Sequence, residues 1–443
     1  MASPFRVIIA GGSLVGLTTA LALEKAGIDF VILERREIAP NVGASISIHP
    51  HTQRVMEQLG VWPEIKAGVY PLEDRHHYDE NGYLLDDSAI LKEISKMTLG
   101  RWTTFMQRQF WLQCIYNQIQ DKSRVRSNCE VVSFTESEHG VEVTTAHGDI
   151  LNGDVLIGAD GIHSSIRRLM ADKIESLDAI AAREMREGFV STYHCIFATS
   201  RNENPKADEK PFLPPGTVHN VYYRGFSGVA AAGAPGLVFW FLFVKNDEAS
   251  HTPNTPQFTQ EDTEATIAKY GDYAVGPGYT FKDLWASRIK AAMVPLEEGV
   301  LKPKWNSGGR AVLMGDAVHK ATVNPGLGGN VAVEGIVHLM NELVPLVRRC
   351  AAADGEGRAP TAEELVAVFD GYEKRQRPHA DLIVSMSGYI TRYEAMETWW
   401  LRALLRASPW VSDRVKANGF VSYIKEGPWL SFLPNPDESE AVS

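Results

Sequence analysis

The sequence predicts an α/β protein built from a Rossmann-like domain, an inserted second domain with a mixed β-sheet, and C-terminal helices. An apolar strand, a glycine turn, a helix and a second apolar strand follow one another within residues 5–34, which is a βαβ unit. Segments rich in Tyr, Phe and Val differ in composition from their surroundings between about 175 and 290. Helical patterns then cover 361–378 and 381–407. At 443 residues the chain is long enough for two domains, or for one large domain with an insertion.

The βαβ unit carries the pattern of a dinucleotide-binding site. Residues 5–10 predict a buried strand, GGSLVG at 11–16 predicts a tight turn into a helix, and Glu34 follows the second strand. Glycines allow the backbone and the helix N-terminus to approach a pyrophosphate, and Glu34 lies where a carboxylate accepts hydrogen bonds from a ribose diol. Ser13 replaces the middle glycine of the pattern, and its hydroxyl could donate to phosphate. Because Glu34 would repel a 2′-phosphate, the pattern favours FAD or NAD over NADP.

Composition argues against several classes of function. A formal net charge of −11 argues against a nucleic-acid partner. The four cysteines form no C-x-x-C pair, which predicts neither a disulfide framework nor a metal site and fits a cytoplasmic setting. Since no run of about 18 apolar residues occurs, we expect no membrane-spanning helix. The apolar run LVFWFLFV at 237–244 is too short to span a bilayer and predicts a buried strand.

Three separated segments share one order of features: an apolar strand, small residues, and then a helix start. The first is at 7–16, and the second, at 155–167, enters a short helix. The third, at 311–331, contains Asp316 and the glycine-rich run PGLGGN at 325–330. An acid at the carboxyl end of a strand can bind a ribitol hydroxyl, and bare amide groups at a helix N-terminus suit an electron-rich ring. An ordinary dehydrogenase needs only the first segment.

These segments set the domain boundaries that we expect. Residues 1–174 and 291–350 form the nucleotide-binding domain, and residues 175–290 form the inserted substrate domain. A hairpin signal within 70–98 predicts two strands that contribute to the substrate side. Residues 351–435 form a helical C-terminal region.

On these motifs the chain resembles the FAD-dependent monooxygenases of the para-hydroxybenzoate hydroxylase fold, along nearly its whole length. The residues that carry the resemblance are GGSLVG with Glu34, Asp160-Gly161 with Arg167, and Gly315-Asp316 followed by PGLGGN. Three further stretches are similar to the fungal enzymes of that group: GASIS at 43–47, GDAVHK at 315–320 and LSFLP at 430–434. Those enzymes epoxidise prenyl chains in indole-diterpene and meroterpenoid pathways. The chain departs from the wider family at Ser13 and Ser47.

The resemblance implies that FAD is the cofactor. It implies that Glu34 binds the adenosine ribose and that Arg108 reaches the phosphate or ribityl region. It also implies that Asp316 holds the ribitol and that Gly329 meets the isoalloxazine ring. The full set of cofactor-binding residues that we predict is Gly11, Ser13, Gly16, Glu34, Arg35, Ser47, Arg108, Asp160, Asp316, Gly328, Gly329 and Asn330.

The resemblance also implies the reaction. NADPH, or NADH in its place, reduces the flavin transiently, since the sequence shows no second nucleotide-binding unit. Reduced flavin and O2 form a flavin C4a-hydroperoxide, which inserts one oxygen atom into an alkene of a prenyl or isoprenoid substrate. Water has to be kept away from that species, and the apolar strand at 237–244 has the composition to cover the ring.

Four residues on predicted strands of the inserted domain are candidates for the substrate side: Tyr193, His194, Tyr222 and Tyr223. The resemblance places Tyr193 and His194 where aromatic hydroxylases often carry an arginine that faces the flavin. His194 in place of that cation disfavours phenolate recognition, whereas an uncharged alkene needs no cation. Because neighbours on a strand face opposite sides, only one of Tyr193 and His194 can face the flavin. Packing is the alternative role for each of the four.

Two other functions stay open at this point. An aromatic or indole hydroxylase of the same fold would use the same cofactor. A non-catalytic prenyl-binding carrier of the GDI type would keep a related fold without flavin chemistry, and the intact segments at 11–34 and 315–330 count against it. Residues 397–400 with Arg402 and Arg406 are compatible with peripheral contact with a membrane, although docking of this helix on the protein is the favoured interpretation.

Overall fold

The computed structural model describes residues 5–41, 43, 45–206, 210–352, 357–424 and 427–439. Its strands are β1 (Arg6–Ala10), β2 (Asp29–Leu33), β3 (Ser45–Ile48), β4 (Asp74–Tyr78), β5 (Leu84–Ser88), β6 (Thr104–Gln107), β7 (Val125–Arg126), β8 (Val131–Glu136), β9 (Val141–Thr145), β10 (Ile150–Gly153), β11 (Val155–Gly158), β12 (Val190–Arg201), β13 (Thr217–Tyr223), β14 (Phe226–Ala234), β15 (Leu237–His251), β16 (Ala274–Gly276), β17 (Tyr279–Thr280), β18 (Arg288–Val300), β19 (Ala311–Leu313) and β20 (His319–Lys320).

The helices are α1 (Leu14–Ala26), α2 (Pro50–Gln58), α3 (Trp62–Ala67), α4 (Ile90–Met97), α5 (Arg108–Gln118), α6 (Ser165–Ile174), α7 (Ala179–Glu187), α8 (Gln260–Tyr270), α9 (Phe281–Ala286), α10 (Gly328–Ala352), α11 (Ala362–Glu394), α12 (Trp399–Ala407), α13 (Asp413–Ile424) and α14 (Pro436–Ser439). The predicted α/β class, with a Rossmann-like sheet, a mixed second sheet and C-terminal helices, is confirmed. Within the described residues, no helix combines the length and the apolar character that crossing a bilayer requires. Ala44 of the GASIS segment lies outside the described residues.

Five parallel strands form the first sheet, in the order β19–β11–β1–β2–β7. β1 lies at its centre, where Val7 pairs with Val155 of β11 on one side and with Phe30 of β2 on the other. Four of the five residues of β1 are buried, as expected of a parallel strand that is covered on both faces. β19 comes from far along the chain, so this sheet joins the first and third segments of the predicted nucleotide site.

The second sheet is mixed and has eight strands, in the order β20–β18–β12–β15–β14–β13–β4–β5. Its pairs are antiparallel except for β13 with β4, which brings the hairpin within 70–98 onto the edge of this sheet. β18 pairs with β12 from Arg288 to Glu298. The domain boundary that the sequence suggested between 290 and 291 therefore falls inside a strand.

The two faces of the mixed sheet pack against different parts of the protein. The outer face, which carries Trp240 and Leu242, forms a core with Ile267 of α8 and Phe281 of α9. The inner face carries Phe241 and is turned toward the first sheet, since Phe241 lines a cavity with residues that follow β1 and β2. Alternation along β15 explains why neighbouring residues serve the two faces.

Two elements differ from the sequence-based expectation. The sequence did not predict β14, because Ala and Gly have a low strand propensity. Close packing favours these small residues there, since a Cβ on Gly228 would lie 2.3 Å from the Phe281 ring. α11 is a single helix of 33 residues that continues through Pro378, where two shorter helices were expected. The tryptophan-rich segment after it forms the separate helix α12.

Candidate functional site

A cavity of about 420 Å³ lies at the carboxyl ends of the parallel strands. The turns after β1, β2, β11 and β19 contribute to its lining, and this is the edge at which parallel α/β sheets bind ligands. The inner face of the mixed sheet closes the cavity on the other side. Ten of the twelve predicted cofactor-binding residues line it: Gly11, Ser13, Glu34, Arg35, Ser47, Arg108, Asp160, Asp316, Gly328 and Gly329.

The glycine turn after β1 leaves no room for side chains. Gly11 has a φ of 108°, and a Cβ on Gly16 would lie 1.8 Å from the Gly11 carbonyl oxygen. The Gly12 N–H donates to Glu34 Oε2 at 2.6 Å, and the Arg36 N–H donates to Glu34 Oε1 at 2.9 Å. The Glu34 carboxylate is thereby fixed at the end of β2. Gly16 does not line the cavity, and instead allows α1 to begin directly against the turn.

Arg108, the first residue of α5, extends its guanidinium into the cavity and donates to Ser13 Oγ. In the part of the chain that the structure describes, no carboxylate forms an ion pair with it, although Asp316 and Glu34 are near enough to raise its pKa. Burial has the larger effect and lowers the pKa of Arg108. A desolvated cation without an ion pair, beside a glycine turn, is a donor set that fits a pyrophosphate.

Two carboxylates reach the cavity from different strands and have different partners. Asp160, after β11, accepts hydrogen bonds from the N–H groups of Ser165 and Ile166 at 2.6 and 3.1 Å, at the start of α6. Asp316, after β19, bonds to Lys320 through Oδ2, and its Oδ1 has no protein donor among the described residues. Asp316 is therefore the carboxylate available to a ligand hydroxyl, whereas Asp160 holds the start of a helix.

Buried polar side chains clamp the glycine-rich loop that leads into α10. Ser47 Oγ donates to the Gly326 carbonyl at 2.8 Å, and the Asn330 amide donates to the carbonyls of Gly326 and Ser47 at 2.8 and 3.0 Å. The His49 N–H donates to Asn330 Oδ1 at 3.0 Å. The Asn330 side chain is thus fully engaged by backbone groups and does not line the cavity. It holds the loop in place.

His194 and Tyr223, two of the predicted substrate-side residues, lie on the outer face of the mixed sheet. His194 Nδ1 is 2.7 Å from Asn246 Oδ1, and the Tyr223 ring stacks on Phe226 with centroids 4.5 Å apart. Strand alternation turns both residues away from the cavity. The structure therefore does not bring them to the site.

Tyr193 and Tyr222, the other two predicted residues, lie on the inner face but outside the cavity lining. The Tyr193 hydroxyl donates to Glu397 Oε1 at 2.6 Å, and the Tyr222 hydroxyl contacts His77 Nδ1. Burial raises the pKa of both phenols, so both are neutral at physiological pH. A catalytic role for either stays a prediction.

Sequence reasoning predicted that the apolar strand at 237–244 covers the ring, but it named none of the apolar side chains that form the cavity wall on the side of the mixed sheet. These are Phe105, Phe241 and Val323. The rings of Phe105 and Phe241 meet edge to face, with centroids 6.1 Å apart. Phe241 belongs to the predicted apolar strand. Because neighbours on a strand face opposite sides, the sequence could have shown that Phe241 and Trp240 lie on different faces of the sheet.

A polar group further along the inner face was also missed. Arg75 and His77 are two residues apart on β4, so alternation places them on one face, and this signal was present in the sequence. Arg75 donates to Asn220, Asn220 donates to Glu394, and Asn324 donates to the same carboxylate, so the network joins three further parts of the chain. Only the folded structure brings these five together.

Comparison with known proteins agrees with this geometry. Residues 5–196 match the family model described as FAD binding domain. The chain is 32% identical to the FAD-dependent monooxygenase cdmI of Talaromyces verruculosus over 437 residues, which cover 98% of this chain and 88% of that protein. It is also 32% identical to the FAD-dependent monooxygenase olcE of Penicillium canescens over 439 residues, covering 98% and 91%. Among solved structures it is similar to HpxO of Klebsiella pneumoniae complexed with FAD and uric acid, with a TM-score of 0.73, 19% identity, and coverage of 96% and 97%.

Proposed function

The chain belongs to the FAD-dependent monooxygenases, and from that membership we propose that it epoxidises an alkene of a prenyl or isoprenoid chain in fungal secondary metabolism. It is an FAD-binding oxidoreductase, which replaces the carrier alternative that the sequence left open. The substrate that we propose is of the meroterpenoid or indole-diterpene class, and NADPH, or NADH in its place, is the transient reductant. Bound FAD supplies the activation of O2, while the residues of the chain bind it, orient it and exclude water.

The cofactor assignments that we propose follow the cavity from one end to the other. Glu34 accepts hydrogen bonds from the adenosine ribose, and Ser13 with Arg108 binds the pyrophosphate. Asp316 Oδ1 accepts from a ribitol hydroxyl. The backbone of Gly328 and its neighbours contacts the isoalloxazine ring. Two observations support this arrangement: the Arg108 guanidinium is desolvated, and Asp316 Oδ1 has no donor among the described residues.

One observation carries the epoxidase proposal: the cavity wall beside β15 of the mixed sheet is apolar, and Lys320, the cation that β20 of the same sheet contributes to the lining, is paired with Asp316. Phe105, Phe241 and Val323 form it, and Phe243 and Cys195 pack behind it in one buried cluster. An alkene needs no charged partner, whereas a phenolate beside the ring would need a cation at this wall. The same side chains exclude water from the space beside the ring, where water would otherwise consume the activated oxygen before it reaches the substrate.

Oxygen incorporation tests this function. The purified protein should be yellow and should oxidise NADPH faster when a prenylated arene is added. Under ¹⁸O2, mass spectrometry should find one labelled oxygen atom in the prenyl chain. Incorporation into phenols alone would replace the epoxidase with an aromatic or indole hydroxylase. A colourless preparation that takes up no FAD would refute the assigned cofactor site.

The Asp316→Ala variant tests the ribitol assignment separately. We expect it to purify with a lower ratio of flavin to protein, because Oδ1 is the acceptor that a ribitol hydroxyl would use. Asp272→Ala, which removes an exposed carboxylate of the same charge elsewhere, should retain the wild-type ratio. Full flavin content in Asp316→Ala would show that Asp316 does not hold the cofactor.

We further propose that the protein works in the cytoplasm in peripheral contact with a membrane surface. α12 packs through Leu401 and Leu405, each 3% exposed, while Trp399 at its start and Trp410 shortly after its end are 78% and 88% exposed. Exposed tryptophans next to arginines are typical of helices that lie at a bilayer interface. Arg402 of the same helix has no ion pair among the described residues, but its Nε is buried, and the exposed Arg406 pairs with Glu80. The contact that we propose therefore depends on the exposed tryptophans: the helix docks on the protein by one face and meets the lipid surface with the other.

Vesicle sedimentation tests this contact. The protein should sediment with phosphatidylcholine vesicles that contain phosphatidylserine, and the double variant Trp399→Ser/Trp410→Ser should stay largely in the supernatant. Leu177→Ser removes an apolar side chain that is 87% exposed on another surface, and it should sediment like the wild type. Equal sedimentation of all three proteins would refute the contact through α12.

A further inference from the structure

A row of paired residues leads along the inner face from the cofactor cavity to the edge of the mixed sheet. Phe241 lines the cavity and pairs with Val229, Val229 pairs with Asn220, and Asn220 pairs with His77. Paired residues on neighbouring strands point to the same face. At about 4.8 Å for each strand, the three steps place His77 about 14 Å from Phe241. The row is apolar at the cavity and polar at its far end.

The polar end is connected to the glycine-rich loop by a chain of hydrogen bonds. Arg75 Nε donates to Asn220 Oδ1 at 2.9 Å, and Asn220 Nδ2 donates to Glu394 Oε1 at 3.3 Å. Asn324, directly before the PGLGGN loop, donates to Glu394 Oε2 at 2.6 Å. Asn220 and Glu394 are buried. The position of the Arg75 side chain is therefore coupled to the loop that borders the cofactor cavity.

Arg75 and His77 offer donors that the protein does not use. Only Nε of the Arg75 guanidinium has an acceptor among the described residues, and its Nη atoms are not enclosed. Burial and the charge of Arg75 lower the pKa of His77 well below its ordinary value, so the ring is neutral. We assign its proton to Nε2 because the Tyr222 hydroxyl occupies Nδ1. Lys416, another cation nearby, already pairs with Asp86 at 2.6 Å.

We propose that Arg75 and His77 bind the oxygen acceptor at the polar end of the substrate, while the alkene lies about 14 Å away beside Phe241. The acceptor is a carboxylate or a carbonyl oxygen, since both take hydrogen bonds from a guanidinium and an imidazole N–H. This inference rests on the proposed function and narrows its substrate class. The substrate is an amphipathic molecule in which roughly three extended isoprene units separate the oxygenated head from the oxidised double bond. Asn220 and Glu394 position Arg75 and do not touch the substrate.

Binding of matched probes to the FAD-loaded protein tests the head site. The probes are para-farnesylbenzoic acid, its methyl ester and farnesylbenzene, and calorimetry measures their Kd. The acid and the ester should bind at least tenfold more tightly than farnesylbenzene. Arg75→Gln should abolish that preference and leave farnesylbenzene unchanged, and Arg75→Lys should restore part of it for the acid. Arg183→Gln, which removes an exposed arginine of α7, should behave like the wild type.

Two results would overturn the head site. One is equal affinity of the wild type for all three probes, and the other is an unchanged preference in Arg75→Gln. The result for the ester also shows which oxygen group the head site accepts. Tight binding of both the ester and the acid indicates a carbonyl oxygen, and tight binding of the acid alone indicates a carboxylate. Both of these support the site.

Chain length tests the spacing. Benzoic acids that carry one, two or three isoprene units should all bind, but only those with two or three units, which can place a double bond about 14 Å from the carboxylate, should give an oxygenated product in high yield relative to NADPH consumed. The one-unit probe should release hydrogen peroxide instead. Equal product yield from the one-unit and three-unit probes would refute the spacing. Failure to oxygenate any alkene, with the head preference intact, would refute the proposed reaction and leave the head site supported.

Discussion

Replacing Arg108 by Gln should stabilise the FAD-free protein and weaken its affinity for FAD. Without the cofactor the guanidinium is desolvated and has no ion-pair partner in the described chain, and its pKa is lowered by burial. Gln keeps an N–H donor near Ser13 and removes the charge that has to be desolvated. The free energy of unfolding of the FAD-free protein should therefore rise.

With FAD bound the sign reverses, because the pyrophosphate loses a charge-assisted hydrogen bond. Such bonds contribute about 1.5–3 kcal/mol, so the Kd for FAD should rise about 10- to 150-fold. A ligand present at about 100 times its Kd stabilises a protein by about 2.7 kcal/mol, and a tenfold loss of affinity at the same concentration leaves about 1.4 kcal/mol. The increase in Tm that FAD causes should shrink accordingly.

Two measurements on one pair of proteins check this prediction. Quenching of flavin fluorescence during titration gives the Kd, and thermal unfolding with and without FAD gives the two values of Tm. Arg183→Gln is the matched control, and both of its values should stay at the wild-type level. An Arg108→Gln protein with wild-type affinity for FAD would refute the pyrophosphate assignment. A lower Tm without FAD would refute the argument from desolvation.

Three further predictions concern stability. Gly16→Ala should lower FAD content and Tm together, because the new Cβ would lie 1.8 Å from the Gly11 carbonyl oxygen and the turn must move; wild-type absorbance of bound flavin would contradict this. Glu334→Gln should lower the free energy of unfolding by about 3 kcal/mol at pH 6 and by less than half of that at pH 3. Burial raises the pKa of Glu334, but hydrogen bonds from His379 and His51 outweigh it and lower this pKa from 4.5 to about 2. The stabilisation is therefore present above pH 4.5 and is lost as the pH falls through 2, and urea unfolding across that range measures it. Gly419→Ala, on an exposed helical position with nothing within 4 Å, should raise the free energy of unfolding by about 0.5–1 kcal/mol, and a lower urea midpoint would contradict it.

The sequence was most informative where structure is local. The turn at 11–16 and the acid at Glu34 could be placed because a glycine turn, a helix start and a strand end are set by neighbouring residues. Asp316 could be placed for the same reason, since it follows a short apolar strand. The pattern did not show that Gly16 and Asn330 lie outside the cavity lining and hold the turn and the loop that form it. A motif gives residue types and not the direction in which each side chain points.

The substrate side was less predictable because it depends on pairing between distant strands. The parallel pairing of β13 with β4 decides that Arg75 and His77 share a face with Phe241, and nothing within either strand specifies that neighbour. The same holds for Glu394, which ends a helix of 33 residues and meets Asn220 only in the folded chain. His194 and Tyr223 were misplaced for a related reason, since alternation alone leaves open which face of a strand is turned to the site.

The late arrival of β19 at the parallel sheet has a consequence for synthesis of the protein. β11 (Val155–Gly158) is translated long before β19 (Ala311–Leu313), and at about 5–20 residues per second the interval is roughly 8–30 s. During that time the ribosome-bound chain presents one open edge of its parallel sheet, and the mixed sheet is translated while that edge waits. An open edge is a template for wrong pairing, so this is the stage at which chaperones would protect the nascent chain. In the cofactor site that we propose, flavin contacts the loop at 325–330, so flavin capture follows the translation of the mixed sheet.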